Sequence, residues 1–361
     1  MTPIVLAALI LMLVAFLVAA LYRRPGRTAP IVDARGRPMP GSIAAIETMV
    51  IGGVAQTVLI RGHDVTNPVL LFLHGGPGTS EMPLLRVFNL PALERRFTVV
   101  VWDQRGAGKS FAAIEPLHAM NVGQFVSDAR ELVEALCARF RTGRIYLAGH
   151  SWGSILGVLT ARECPERIAA YVGIGQVANM LEGERRSWRW TLDRAREAGD
   201  ARAVARLLRM GEPPYAGDMR AHVVAQRAIL ARYGGEVHGD RRGAMPFVIR
   251  GLLAAKEYGW RDRVNFFRGI FATMRVMWPQ ILAIDLERQV PELAVPVYFL
   301  LGRHDMEAPS DLAARYFDAL RAPRKMLVWF ERSAHLPNVE EPDAFNRFFT
   351  ERLLRETQGN S

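Results

Sequence analysis

Cysteine is scarce in this sequence, with Cys137 and Cys164 the only two among 361 residues. Two cysteines cannot form a disulfide framework, and neither has the spacing of a metal-ligating pair. The eight histidines include no H-E-x-x-H motif or similar pair. The sequence therefore indicates no metal site, and we expect both cysteines to be buried apolar residues in helices.

Acidic residues are fewer than basic ones, and the formal net charge of +10 is carried mainly by arginine. An excess of basic residues can indicate binding to a nucleic acid or to an anionic membrane surface. The arginines are spread through helical stretches such as 185–209, and no known nucleic-acid-binding motif accompanies them. We therefore expect no nucleic-acid partner, and interpret the basic residues as solvated helix faces with some attraction to anionic lipid.

Charge is absent altogether from Thr2 to Tyr22, and residues 3–22 form a run dominated by Leu, Ala, Val and Ile. Its 20 residues are enough for a helix across ~30 Å of hydrocarbon. A cleaved signal peptide is the alternative, but it would need basic residues before the run and a small-x-small cleavage site. The run therefore predicts one N-terminal transmembrane helix. Basic residues follow it directly, so the positive-inside rule predicts a single-pass protein with the rest of the chain in the cytoplasm.

Beyond this run, residues 23–42 are rich in proline, glycine and arginine and predict a linker. Two β-branched runs then flank Gly52-Gly53, as in a β-hairpin. Several later runs are apolar at every position, which is typical of strands buried on both faces of a parallel sheet. The predicted strands are residues 43–51, 54–61, 68–73, 97–102, 144–148, 169–174, 295–301 and 325–330.

Amphipathic stretches alternate with these strands, for example residues 122–139, whose apolar residues share one helical face. This alternation predicts an open, mostly parallel sheet with helices on both faces. Residues 177–289 interrupt it with helical stretches and no clear strand, and so predict a cap over the carboxyl ends of the strands. We therefore assign the core to residues 43–176 and 290–356.

The segment GHSWG at residues 149–153 matches G-x-S-x-G and joins a predicted strand to a predicted helix, as this motif requires. The two glycines permit a turn tight enough to raise Ser151 out of the sheet edge. Ser151 also stands at the start of a helix, where the partial positive charge favours a developing alkoxide. These features predict that Ser151 is a nucleophile.

A nucleophilic serine needs a general base, which in turn is oriented by a third group. With this motif the chain order is Ser, then Asp or Glu, then His. His335 follows the last predicted strand and Asp305 the one before it, so both should reach the same sheet edge as Ser151. We predict His335 as the base and Asp305 as the acid. The alternatives are His304 for the base and Asp285 or Glu307 for the acid.

A tetrahedral intermediate also needs hydrogen-bond donors aimed at its oxyanion. One should be the backbone N–H of Trp152, directly after the nucleophile, and the other should come from the loop after the third strand. That loop is HGGPG at residues 74–78, where missing side chains let backbone N–H groups approach a substrate. We predict that Gly76 is the second donor; a plain Gly-Pro turn is the alternative.

Three motifs together resemble the prolyl iminopeptidase group of α/β hydrolases: HGGPG at 74–78, DQRGAGKS at 103–110 and GHSWGS at 149–154. The resemblance extends over residues 43–175, and over 291–345 through the predicted acid and base. It implies the α/β-hydrolase fold and removal of N-terminal residues, preferably proline, from peptides without a metal or cofactor. The DQR residues of the second motif would then brace the loops beside the site.

Members of that group recognise the free amino terminus of the substrate with glutamates of the cap, because a buried ammonium needs carboxylate partners. The cap of this chain departs from the group's pattern, and those positions do not align. Glu184 is our first candidate for this role, followed by Glu182 and Glu257.

The leading hypothesis is a membrane-anchored serine hydrolase that acts as an aminopeptidase on short peptides. A first alternative keeps the chemistry and changes the substrate to an ester, lactone or lipid-derived acyl compound, which a Trp-rich cap and an apolar N-terminal run would suit. A second alternative is a non-catalytic binding module on the same fold. The presence of every expected member of the site argues against it.

Overall fold

The computed structural model describes residues 11, 12, 14, 16, 17 and 20–358. Most of the predicted membrane anchor, residues 3–22, lies outside these residues. Among the residues that are described, no helix is both long and apolar enough to cross a bilayer.

The core is one eight-stranded sheet with the strand order β1-β2-β4-β3-β5-β6-β7-β8. The strands are β1 (Ile43–Ile51), β2 (Val54–Gly62), β3 (Val69–Leu73), β4 (Thr98–Asp103), β5 (Ile145–His150), β6 (Ile168–Ile174), β7 (Val297–Gly302) and β8 (Lys325–Phe330). Strands β1 and β2 pair antiparallel around Gly52-Gly53, β2 also runs antiparallel to β4, and all other neighbours are parallel. The mostly parallel sheet that the sequence predicted is confirmed. It could be predicted because most of its strands are apolar runs in the sequence.

Helices cover both faces of this sheet. They are α1 (Met82–Phe88), α2 (Leu90–Leu93), α3 (Val122–Phe140), α4 (Trp152–Glu163), α11 (Ser310–Ala319), α12 (Pro337–Glu340), α13 (Pro342–Arg347) and α14 (Leu354–Gln358), with short 3₁₀ turns at Gly108–Ile114, Leu117–Ala119 and Pro165–Arg167 and a π-helical turn at Phe348–Leu353. Side chains of each central strand alternate between two apolar clusters. Leu71 and Leu73 of β3 join one cluster, whereas Leu70 and Phe72 join the other.

The long helix α3 illustrates how the sequence specifies these elements. Asn121 caps its N-terminus by accepting a hydrogen bond from the N–H of Gln124 at 2.9 Å. Phe125, Leu132 and Leu136 lie on one face of the helix and are buried against the sheet. The amphipathic pattern predicted residues 122–139, and the helix ends one residue later.

Between β6 and β7 the described chain contains helices and no strand. These cap helices are α5 (Met180–Glu197), α6 (Ala201–Met210), α7 (Met219–Arg232), α8 (Met245–Ala254), α9 (Trp260–Ile281) and α10 (Leu286–Gln289). The insertion leaves the core after the carboxyl end of β6, and its two ends meet in an antiparallel bridge between Asn179 and Asp285 before the chain returns to the amino end of β7. This position brings the cap over the edge that carries the loops after β3, β5, β7 and β8.

The predicted linker, residues 23–42, packs against the folded domain. The N–H of Arg27 donates to the carbonyl of Lys256 at 2.8 Å, and Thr28 Oγ1 donates to Glu257 Oε1 at 2.9 Å. The guanidinium of Arg61, buried in β2, donates to Thr28 Oγ1 at 2.6 Å. These contacts fasten the segment to both the core and the cap, which a composition rich in proline and glycine could not reveal.

Candidate active site

Ser151 occupies a sharp turn between β5 and α4. Its backbone has φ 55° and ψ −119°, a conformation that a residue with a side chain adopts only at a cost of about 1–3 kcal/mol. A Cβ on Gly149 would collide with the Gly153 carbonyl, and one on Gly153 would collide with the carbonyl of Leu73 in β3. The G-x-S-x-G spacing is therefore required because strand and helix approach too closely here for flanking side chains.

Asp305 and His335 are held together at the same sheet edge. His335 Nδ1 donates to Asp305 Oδ2 at 2.8 Å, and both residues are buried. The other carboxylate oxygen of Asp305 accepts hydrogen bonds from the N–H groups of Glu307 and Ala308, each at 2.9 Å. This network orients the imidazole so that its Nε2 atom is the one left free for chemistry.

Ser151 and His335 line one cavity of about 530 Å³ beneath the cap. Among the described residues, no hydrogen bond joins the Ser151 hydroxyl to the imidazole. In substrate-free enzymes this contact is often long and tightens only when substrate binds. The structure thus brings the three predicted residues to one edge of the sheet, with the Asp305–His335 link formed and the link to Ser151 open.

The charge state of His335 is set by its neighbours. Burial alone would lower the pKa of this imidazole, but the charges of Asp305 and Glu307 outweigh it and raise the pKa to about 9. An imidazole with this pKa is mostly protonated at neutral pH, and its unprotonated fraction increases as the pH rises towards 9.

The two predicted oxyanion donors face the same cavity. Gly76 and Trp152 both line it, and within the described part of the chain neither backbone N–H has a hydrogen-bond partner. Trp152 is the first residue of α4, where an N–H has no partner in the helix itself. Gly76 has φ 112°, which a residue with a side chain would adopt only under strain.

The segment at 103–105 connects the loops around this cavity. Gln104 Nε2 donates to the carbonyl of His74 at 3.0 Å, and Gln104 Oε1 accepts from the indole N–H of Trp152 at 3.0 Å. Arg105 forms a fully buried ion pair with Asp128, with Nη2 and Oδ2 2.9 Å apart. These contacts brace the turns that carry the two N–H groups, in the structural role that the resemblance implied.

His150 and Glu81 form a further brace that the sequence did not indicate. His150 Nδ1 bonds to the Glu81 carboxylate, and its Nε2 donates to the carbonyl of His335 at 2.8 Å. Glu81 also accepts from the N–H of Gly75 at 3.3 Å. The loop after β3, the turn at Ser151 and the backbone at His335 are therefore linked through two buried side chains.

A cluster of carboxylates with one arginine lies across the cavity. Glu184 of α5 is buried, and one of its oxygens pairs with Arg227 of α7. Its other oxygen, Oε2, has no hydrogen-bond partner among the described residues. Arg227 also lies 3.4 Å from Glu307 Oε1, and Glu236 completes the cluster.

Burial and neighbouring charges shift the pKa values of these carboxyl groups. Burial raises the pKa of Glu184 above its usual value, against the opposing effect of Arg227. Burial, together with the charge of Glu307, raises the pKa of Glu236 to about 7. Burial would also raise the pKa of Glu307, but the positive charges of His335 and Arg227 hold it below its usual value. The cavity therefore contains carboxyl groups that a bound cation would help to ionise.

The other two candidate glutamates lie elsewhere. Glu182 pairs with Arg186 on the partly exposed side of α5 and does not line the cavity. Glu257 is buried, but it bonds to Arg86 and Thr28 and connects the cap to the N-terminal segment. The sequence could not separate these from Glu184, because no local pattern distinguishes the three glutamates.

The residues named as alternatives for the acid and the base have other contacts in the structure. His304 is exposed and stacks on His238 at a centroid distance of 3.7 Å. Asp285 caps α10 by accepting from the N–H of Arg288 at 3.4 Å. Glu307 does line the cavity, where it faces Arg227, but the carboxylate bonded to the imidazole is that of Asp305. Over the residues described, no group of three or more His, Cys, Asp and Glu is arranged to hold a metal ion.

Comparison with known proteins agrees with this architecture. A family model described as the alpha/beta hydrolase fold matches residues 68–223. The chain is 35% identical to the probable aminopeptidase YbaC of Bacillus subtilis (strain 168), over 85% of this chain and 96% of the relative. It is 25% identical to a proline iminopeptidase of Heyndrickxia coagulans, over 77% of this chain and 87% of the relative. The crystal structure of the proline iminopeptidase of Mycobacterium smegmatis superposes with a TM-score of 0.61 at 20% identity, covering 88% of this chain and 100% of that one. The chain belongs to the α/β-hydrolase superfamily, in its proline-iminopeptidase-like group of hydrolases.

Proposed function

We propose that this hydrolase uses Ser151, His335 and Asp305 as a catalytic triad and releases the N-terminal residue, proline among others, from short peptides. The observation that carries the proposal is the strained turn of Ser151 in the same cavity as an imidazole already bonded to a buried carboxylate. Nothing in this scheme requires a metal or cofactor.

In the proposed reaction, the Ser151 hydroxyl attacks the carbonyl carbon of the first peptide bond while His335 Nε2 takes its proton. The N–H groups of Gly76 and Trp152 then stabilise the oxyanion. His335 passes the proton to the departing amine, which leaves as the shortened peptide. Water, deprotonated by the same imidazole, attacks the acyl-enzyme and releases the amino acid.

The cluster of carboxylates across the cavity supports recognition of a substrate with a free amino terminus. Glu184, Glu236 and Glu307 supply three carboxyl groups, and among the described residues only Arg227 forms salt bridges with them, so a substrate ammonium would find partners there. The free Oε2 atom of Glu184 is a ready acceptor. The relation to a probable aminopeptidase at 35% identity points to the same class of substrate.

A Ser151→Ala variant tests the chemistry. We expect loss of labelling by a fluorophosphonate probe and a decrease in kcat by up to about a millionfold. Ser127→Ala is a matched control, because Ser127 is an exposed serine on α3 that does not line the cavity. Undiminished hydrolysis by the Ser151→Ala protein would refute the triad.

An ester or other lipophilic acyl substrate is the second candidate. It is favoured by the apolar residues of the cavity wall, which include Phe266, Phe267, Ile270 and Trp278. Turnover of proline arylamides and of acyl esters by the same preparation separates the two candidates. N-acetylation of the arylamide should abolish its turnover if the ammonium is recognised. Equal turnover of the free and acetylated forms would favour the acyl ester.

We also propose that residues 3–22 anchor the protein in a membrane with the hydrolase domain in the cytoplasm. The support is the uncharged apolar sequence followed by arginines. Alkaline extraction of membranes tests attachment, and protease accessibility in sealed vesicles tests orientation. Recovery of the full chain in the soluble fraction would contradict the anchor.

A further inference from the structure

The cap exposes an apolar surface on α8 and α9 that no described residue covers. On α8 the exposed residues are Met245, Ile249 and Leu253, four positions apart, and on α9 they are Trp260, Val264, Phe267 and Phe271. Spacings of three and four place each set on one side of its helix. We call these seven residues the α8–α9 face. Monomeric soluble proteins seldom expose so many large apolar side chains together, and such surfaces usually mark an interaction site.

Basic residues surround this face. Between residues 241 and 281 there are seven arginines and one lysine, and only Arg242 forms a salt bridge within the described chain. The same segment has two acidic residues, Glu257 and Asp262, and both are already paired, with Arg86 and Lys109. The guanidinium of Arg263 stacks over the ring of Trp260 at 4.8 Å. Exposed arginines, Arg250, Arg261 and Arg268, directly adjoin apolar members of the face in the sequence of α8 and α9.

The N-terminal segment reaches the folded domain at one corner of this face. Leu21 and Arg24 line a groove together with Trp260 and Arg263 at the start of α9. The N–H of Arg27 then bonds to the carbonyl of Lys256, between α8 and α9. The uncharged run that ends at Tyr22 therefore joins the domain beside the exposed apolar residues and not on the opposite side.

We propose that the α8–α9 face docks on the surface of an anionic lipid bilayer, with its apolar side chains in the headgroup region and its basic residues against lipid phosphates. A stripe of Trp, Phe and Leu rimmed by arginine is the composition of interfacial helices. A second copy of the chain fits less well, because two faces of this kind would bring like charges together.

The docked orientation has a consequence for access to the cavity. Met245 of α8 and Phe267 and Phe271 of α9 are exposed members of the face and also line the cavity that contains Ser151. The face therefore borders the mouth of the cavity. Docking turns that mouth towards the lipid surface, from which an amphipathic substrate can enter. This inference does not depend on which bond the enzyme hydrolyses.

The test uses the full chain with a fluorophore on a single introduced thiol, Leu253→Cys. Cys137 and Cys164 are buried and leave this thiol as the accessible one. The matched control is Leu208→Cys on α6, a similarly exposed leucine of the cap outside the face. Vesicles of phosphatidylcholine, with or without phosphatidylglycerol, carry doxyl-labelled lipid as a quencher. We expect quenching at position 253 that increases with phosphatidylglycerol, and little quenching at position 208.

Two arginine variants, Arg250→Ala and Arg261→Ala, test the electrostatic contribution. Each should lower the ratio of docked to undocked protein about fivefold, the effect of ~1 kcal/mol per basic residue near an anionic surface. Turnover of a water-soluble ester in detergent should not change, which shows that the variants are folded and active. Equal quenching at positions 253 and 208, or none at 253, would overturn the proposal. So would lipid-independent disulfide crosslinking between two unlabelled Leu253→Cys chains, which would indicate self-association.

Discussion

The pH dependence of hydrolysis should respond to one carboxylate outside the proposed triad, that of Glu307. Its charge, together with that of Asp305, raises the pKa of His335 to about 9 despite burial. In a Glu307→Gln variant the imidazole keeps its hydrogen bond to Asp305 but loses the second negative charge. The pKa of His335 should therefore decrease, and more of the base should be deprotonated at neutral pH.

The size of this change follows from electrostatics. At an effective dielectric constant of about 20, a unit charge roughly 10 Å away stabilises an imidazolium by ~1–2 kcal/mol, which corresponds to about one pH unit. The acidic limb of the kcat/KM profile, near pH 9 in the parent protein, should move down by that amount. Below the limb, kcat/KM should rise by up to about tenfold, since one pH unit corresponds to a factor of ten in deprotonated base.

The assay is the pH profile of kcat/KM for a small acyl ester without an amino group, so that recognition of an ammonium does not affect it. Glu331→Gln is the control, because Glu331 lies shortly before His335 in the chain but is exposed and pairs with Arg303. Its profile should match that of the parent protein. A limb that stays in place or moves to higher pH in Glu307→Gln would refute the electrostatic reasoning.

Three further substitutions, one of them with a matched control, have defined outcomes. Asp305→Asn should decrease kcat about ten-thousandfold in a folded protein, because the imidazole is then held in the wrong tautomer; steady-state kinetics with circular dichroism check this. Asp128→Ala should lower the free energy of unfolding by ~3–5 kcal/mol, since it leaves the guanidinium of Arg105 buried without a partner. Its control is Glu47→Ala, at an exposed ion pair, which should lower the free energy of unfolding by no more than ~1 kcal/mol; urea titration measures both values. Glu184→Gln should raise KM for proline arylamides and leave KM for acyl esters unchanged; an equal effect on both would argue against recognition of the amino group.

The strands could be predicted closely because each leaves a local pattern in the sequence. A strand buried on both faces is apolar at every position, as in β3, which was predicted at 68–73 and observed at Val69–Leu73. The turn at Ser151 could be predicted for a different reason. Only glycine fits at positions 149 and 153, so the close packing at this turn is visible in the sequence as a short motif.

The cap glutamates show where local patterns stop being informative. Glu182 and Glu184 stand two positions apart on α5, yet Glu182 pairs with Arg186 near solvent while Glu184 is buried beside Arg227. Their difference depends on which side of α5 faces α7, and a short charged segment does not specify that. Glu236 was not considered at all, because a lone glutamate in a loop has no distinguishing pattern.

By itself, the sequence determined the strands, the turn at Ser151 and the strand ends after which Ser151, Asp305 and His335 lie, since each of these depends on residues that are neighbours in the chain. Only the tertiary structure decided which side chains perturb the imidazole, which carboxylates face the cavity and which apolar helix faces stay uncovered. Those features depend on distances between segments far apart in the chain. Burial and Coulomb interactions act through space, and both are set when the cap closes over the sheet edge.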